Sequence, residues 1–260
     1  MTSTADPKPG AAPRDGVTEP LVLLPGFMTD ARLWGAQVEV LGRDMPLMLA
    51  HWGPANAVDA MAEAVLAQAP PRFALAGHAL GGMVAIEIVR RAPERVTRLA
   101  LISTNCLSET PPAAAERDLR IARAKAGKLA EAMAAEVPEG CIGLSEYRGE
   151  IHGFAMRMAL ELGAETYLRQ ANALQRRPDQ QRTLRQVKVP VLVCCGGDDT
   201  LHMPRRHEFM AGLVPKSELK VLEGVGHLPT IEAPDRMNEV LRAWMARVPA
   251  PQLLRQAGGA

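Results

Sequence analysis

Phe73-Ala74-Leu75-Ala76-Gly77-His78-Ala79-Leu80-Gly81-Gly82 is an apolar run that changes, across a glycine-flanked turn, into the helical pattern Met83-Val84-Ala85-Ile86-Glu87-Ile88-Val89-Arg90-Arg91. Residues 73–76 read as a buried strand and residues 80–91 as a helix, ended by Ala92-Pro93. A strand that enters Gly-x-x-x-Gly and leaves as a helix must turn sharply. Gly77 and Gly81 are needed because a side chain at either would collide with the neighbouring strand and helix backbones. Ala79, between them, is expected in a strained conformation aimed at the space above the sheet. The next backbone N–H, that of Leu80, opens the helix and points to the same space. It can donate to a developing oxyanion, helped by the helix dipole.

Upstream, Leu21-Val22-Leu23-Leu24 has no polar alternation and reads as a strand buried on both faces, closed by Pro25-Gly26. Thr29 or Asp30 can cap a helix with Leu33, Trp34, Val38 and Leu41 at helical spacing. A short strand follows at 46–50, then an Ala-rich helix at 57–69 stopped by Pro70-Pro71. Residues 96–102 make another strand. Alternation then stops, and 105–186 reads as helices at 113–125, 129–135, 147–162 and 164–174. It resumes with a strand at 189–195, a helix at 205–213, a strand at 219–222 and a helix at 234–247. This order implies an α/β fold with a doubly wound, mostly parallel sheet and an inserted helical lid over the carboxyl ends of the strands. The expected organisation is a disordered leader at 1–19, a core of 20–104 and 187–248, a cap at 105–186 and a frayed tail at 249–260.

Composition removes several classes of function. Thirty Lys and Arg against 29 Asp and Glu leave a formal charge of +1, so no global field gathers nucleic acid or anionic lipid. Aromatics at 3% leave no stacking platform for single strands. The apolar runs fall short of a membrane span, and the proline-rich first twenty residues lack the apolar stretch of a signal peptide. Four cysteines (Cys106, Cys141, Cys194 and Cys195) are too few for a disulfide scaffold and point to the cytoplasm. No CxxC or HExxH spacing is present, so a structural or catalytic zinc is not expected. A homodimer through the last helix or the lid stays open.

With these pieces in place, the chain resembles the α/β-hydrolase fold superfamily, in its esterase/lipase-like branch, over about residues 21–247. The elbow resembles that family's Gly-x-Ser-x-Gly with Ala79 in place of serine. Pro25-Gly26-Phe27-Met28 resembles its oxyanion loop, with Pro25 where histidine is usual. Gly196-Gly197-Asp198-Asp199 and Gly226-His227-Leu228-Pro229 follow in the family's order. The resemblance implies His227 as general base, Asp199 as its orienting acid with Asp198 the close competitor, and the N–H groups of Phe27 and Leu80 as oxyanion donors. Phe27, Met28, His78, His152 and Met156 are the expected substrate contacts, while for His78 a packing or loop hydrogen bond is the alternative.

Ala79 is the departure that matters, because a methyl group cannot attack a carbonyl. Two readings compete. Either alanine stands in a serine's place and disables the site, or alanine is the working residue and His227 activates water. Ser103, at a strand end, is expected to satisfy backbone groups rather than to replace the nucleophile. Arg148 and Arg157 could meet a substrate carboxylate, although a solvated helix face is the plainer reading. The runs Glu116-Arg117-Asp118 and Gln175-Arg176-Arg177 also read as solvated faces. The leading expectation is hydrolysis of a small or medium carboxylic ester by Ser-His-Asp acyl transfer, chemistry that needs no metal or organic cofactor. Lyase or oxygenase chemistry by the His-Asp pair, and ligand binding without catalysis, are the other classes.

Overall fold

The computed structural model describes residues 19–247. The expected leader and tail lie outside the described residues, apart from Glu19, which pairs with Arg98. Six strands form one sheet: β1 (Leu21–Leu24), β2 (Leu47–Leu49), β3 (Phe73–His78), β4 (Val96–Ile102), β5 (Val191–Gly196) and β6 (Ser217–Leu222). Their order is β2-β1-β3-β4-β5-β6, and every pair is parallel.

Strand periodicity distributes the side chains between two cores. Val22 and Leu24 pack on one face and Leu21 and Leu23 on the other. Leu75, Leu101 and Val193 join the first core; Ala76, Ile102 and Cys194 join the second. Helices cover both faces, as the unbroken apolar strands require. On the first lie α2 (Val58–Gln68), α3 (Leu80–Arg91), α7 (Gln181–Gln186) and α8 (Pro204–Leu213). On the second lie α1 (Gly35–Leu41) and α10 (Pro234–Met245), with the one-turn α9 (Pro229–Glu232) between β6 and α10. The apolar stripe of α10, Met237, Leu241 and Trp244, is spent inside the molecule.

The sheet reverses its winding between β1 and β3, since β2 lies to one side of β1 and all later strands to the other. Ligands of open α/β sheets bind outside the carboxyl ends of the strands at such a switch point.

Between β4 and β5 the chain forms α4 (Pro111–Lys125), α5 (Leu129–Glu136) and α6 (Arg148–Arg176). Thr110 caps α4 through its hydroxyl, which accepts from the Ala113 N–H. Gly163, at φ +80°, breaks the helical geometry inside α6, where the sequence places a boundary between two helices. These helices have a core of their own, including Ile121, Met133, Ala159 and Tyr167, and Met28 from the loop after β1 is buried in it.

Arg117 corrects the sequence reading. It is 8% exposed instead of solvated, donating to Glu109 and Glu136 at 2.8 Å each. Arg177 also turns inward, donating to the carbonyls of Leu107 and Leu174. Burial pushes the Glu109 carboxyl up, but hydrogen bonds and charge from Arg117 and Arg177 outweigh this and hold it below its ordinary value. This pairing therefore stabilises the fold above about pH 4 and is lost as pH falls through the lowered folded-state value. Arg117→Ala removes the main partner of buried Glu109 and one partner of Glu136, which Arg120 and Tyr167 also hold, and is expected to cost about 3 kcal/mol. Urea unfolding at pH 7 checks the loss; an unchanged midpoint would refute it.

Candidate active site

Ala79 has φ +46° and ψ −111°, a backbone conformation that side chains other than glycine rarely adopt. The fold over-determines it. The Ala79 N–H donates to Ile102 O at 2.9 Å, and the Thr104 hydroxyl donates to Ala79 O at 2.5 Å. A Cβ on Gly77 would strike the Gly81 backbone, and one on Gly81 the carbonyl oxygens of Pro25 and Leu24. Gly82, absent from the sequence argument, is equally constrained by Thr104.

Phe27 and Leu80 lie at the carboxyl ends of β1 and β3 and both face the cavity. In the β1 loop the Gly26 N–H donates to the Thr29 hydroxyl (2.8 Å) and the Met28 N–H to Gln170 Oε1 (2.7 Å). The Phe27 N–H between them has no hydrogen-bond partner among the described residues, and neither has the Leu80 N–H at the start of α3. Two unpaired donors beside Ala79 can serve a developing negative charge. Gln170, from α6, carried no signal in the sequence: its role depends on a helix 142 residues away from Met28.

His227 Nδ1 is 2.9 Å from Asp199 Oδ2. A carboxylate only accepts, so Nδ1 carries the proton and Nε2 is left as the acceptor that a general base needs. Asp199 Oδ1 accepts from the Leu201 and His202 N–H groups at 2.9 Å each. Burial opposes ionisation of Asp199, but the charge of His227 and its hydrogen bond outweigh this and hold the carboxyl well below its ordinary value. Asp198, the competitor, is exposed and makes a backbone bond to Val225 O.

Glu232 braces the histidine loop. Its carboxylate accepts from the N–H groups of Gly226 (2.7 Å), Leu228 (2.7 Å) and Gly143 (2.8 Å), flanking His227 on both sides. In the sequence Glu232 carries no signal of this role. Glu232→Ala is expected to lower stability by about 3 kcal/mol and to loosen the imidazole. Chemical denaturation together with the His227 ring resonances in NMR tests both effects; unchanged values would remove the bracing role.

The remaining candidates divide. Phe27, Met28, His78 and Met156 border the cavity with Ala79, Leu80 and His227. His78 is nonetheless committed: its Nε2 lies 2.8 Å from the His227 carbonyl, so Nε2 carries the proton and donates. Burial first, and then the charge of His227, push it down to about 3, which keeps it neutral. His152 does not border the cavity, and its Nε2 donates to Val137 O at 2.8 Å, a correction to the expected substrate contact. Arg148 binds Ile142 O, Arg157 lies over the Phe154 ring, and neither borders the cavity. Ser103 is fully buried at φ +44°, and its hydroxyl has no partner among the described residues, contrary to the backbone-satisfying role expected.

The cavity holds about 420 Å³, room for a small or medium ligand. Its floor is the loops after β1, β3, β5 and β6, and its far wall comes from α4, α5 and α6. Among the described residues no cluster could hold a metal ion, and no helix is long and apolar enough to cross a membrane.

The sequence profile of the alpha/beta hydrolase family matches residues 21–240. A pimeloyl-[acyl-carrier protein] methyl ester esterase from Neisseria meningitidis serogroup C is 26% identical, over 83% of this chain and 91% of its own length. A thermophilic esterase from Thermogutta terrifontis, solved with malate bound, is also 26% identical, with a TM-score of 0.78 over 88% of this chain and 90% of that one. An enol-lactonase from Burkholderia xenovorans, 19% identical with a TM-score of 0.77 over 90% and 94%, shares the fold.

Proposed function

The chain belongs to the alpha/beta hydrolase family, and on that premise we propose that its cavity is a carboxylic ester site of the serine acyl-transfer design, with Ala79 in the nucleophile's place. The observation that carries this reading is the strained elbow at Ala79. A positive φ at a non-glycine residue costs about 1–3 kcal/mol, and that cost has a purpose where the side chain must meet both a base and an oxyanion hole.

A serine at position 79 would attack the ester carbonyl carbon through Oγ while His227 Nε2 takes the hydroxyl proton. The carbonyl oxygen becomes an oxyanion that accepts from the Phe27 and Leu80 N–H groups. The carbon–oxygen bond to the alcohol then breaks, and the alcohol leaves with the proton from His227. Water repeats the sequence on the acyl-enzyme and releases the acid. Asp199 holds the imidazole and stabilises its charged form. The helices between β4 and β5 act as the cap that shapes the pocket, and the ester itself is the only partner this chemistry needs.

With alanine at 79 the covalent route is closed. A slower route remains: His227 Nε2, which has no partner among the described residues, takes a proton from water. The hydroxide adds to the carbonyl carbon, and the alcohol departs with that proton. Initial rates on p-nitrophenyl esters from acetyl to decanoyl, for this chain and for Ala79→Ser, test the proposal. Activity gained with serine supports acyl transfer; equal rates in both would favour water attack, and silence in both would overturn the ester reading.

A further inference from the structure

The lining of the cavity is charged, against the usual apolar lining of a small-ligand pocket. Arg117 and Arg120 on α4, Arg177 just after α6 and Arg206 on α8 all border it, in company with Glu109 and Glu136. The two carboxylates are already spoken for. Arg117 donates to both, Arg120 lies 3.0 Å from Glu136, and the Tyr167 hydroxyl donates to Glu136 at 3.0 Å. A third cavity carboxylate, Glu116, is 72% exposed and stands 3.8 Å from Arg120.

Positive charge is left over. Arg177 shares Glu109 with Arg117 at only 3.4 Å, and its Nη2 has no partner among the described residues. Arg206 makes no side-chain hydrogen bond or ion pair among the described residues, yet it borders the cavity, as do Leu201 and His202 from the loop after β5. Burial, and the charge of Arg117 against the pull of Glu109, leave Arg177 below its ordinary value. The pull of Glu109 does not offset the cost of burying this guanidinium beside Arg117. A neutral ligand entering here would strip water from these guanidiniums and return nothing, whereas a carboxylate would pair with their planar forks.

We propose that the cavity takes an ester bearing a second, free carboxylate, and that Arg177 and Arg206 bind that carboxylate. The proposal rests on the ester-site reading above and adds the class of ester. The ligand is thus a half-ester of a dicarboxylic acid, or an ester whose alcohol part carries a carboxylate. Its anionic end lies against Arg177 and Arg206 while its carbonyl lies between Phe27, Leu80 and His227.

The chain as it stands, with Ala79, suits a binding experiment because no acyl-enzyme consumes the ligand. Calorimetric titration with monoethyl adipate and with diethyl adipate compares the anionic and neutral esters of one length. The monoester is expected to bind about tenfold tighter or more, with the difference shrinking as salt rises. Arg206→Gln and Arg177→Gln are each expected to remove most of that preference, and Arg205→Gln, an exposed neighbour on α8 that does not border the cavity, to leave it intact. Arg206 is exposed, so its variant keeps the test valid if the Arg177 variant fails to fold. Equal binding of the two esters, or a preference that survives Arg206→Gln, overturns this proposal and leaves the ester site standing. Binding of neither ester overturns both.

Discussion

Ala79→Ser is expected to raise p-nitrophenyl ester hydrolysis by about a thousandfold or more. The size follows from how little else the substitution must do. The backbone at position 79 already holds the elbow geometry, the Thr104 hydroxyl and Ile102 carbonyl fix it from both sides, and Gly77 and Gly81 leave the close approaches open. Serine adds one oxygen to a side chain that is 4% exposed and faces the cavity shared with His227. The rate comparison has a covalent companion. An organophosphonate ester should label the serine variant stoichiometrically at residue 79, seen as a mass shift on the peptide containing it, and should leave the alanine chain unlabelled. Unchanged rates with no label would mean that position 79 is not where the acyl group goes.

In that serine background, Asp199→Asn should cost about 10⁴ in kcat. An asparagine amide turned toward Nδ1 donates where the carboxylate accepted, which favours the tautomer with the proton on Nε2 and removes the base. Asp198→Asn, one residue earlier and exposed, should change kcat less than twofold, an order-of-magnitude expectation for surface changes. The pair of variants separates the two adjacent carboxylates, which share the same motif. Because His227 holds Asp199 well below its ordinary value, acid loss of activity down to about pH 5 is not a titration of Asp199. Carbon-detected NMR titration of the Asp199 carboxyl, expected to show no inflection between about pH 5 and pH 7, checks this. Equal losses from both asparagine variants would withdraw the orienting role of Asp199.

Much of the site was legible in the chain because its parts are local. The elbow is a strand, a glycine pair and a helix within nineteen consecutive residues, and steric collisions at Gly77 and Gly81 are set by neighbours close in sequence or held by the adjacent strand. His227 follows β6 and Asp199 follows β5, where a parallel sheet must present them at one end. His152 failed as a substrate contact for the complementary reason. A histidine on a helix can face the cavity or a backbone carbonyl, and the register of α6 against the segment after α5 gave it to Val137.

Periodicity and turn chemistry therefore determined the strands, a mostly parallel sheet with helices on both faces, and the sharp turn at Ala79, since apolar runs without alternation can be buried only between two layers; the order of Asp199 and His227 was read from the resemblance to the family. Tertiary structure alone decided the electrostatics of the pocket. Glu116-Arg117-Asp118 has the composition of a solvated face, and Arg117 is buried only because Glu109 and Glu136 arrive from elsewhere to pay its desolvation. The same holds for Gln170 on Met28 and Glu232 on Gly143, whose donors and acceptors meet only once the chain has packed. A charge reads the same in sequence whether it faces water or a carboxylate, and the free energy that distinguishes the two comes from contacts that do not exist until the chain has folded.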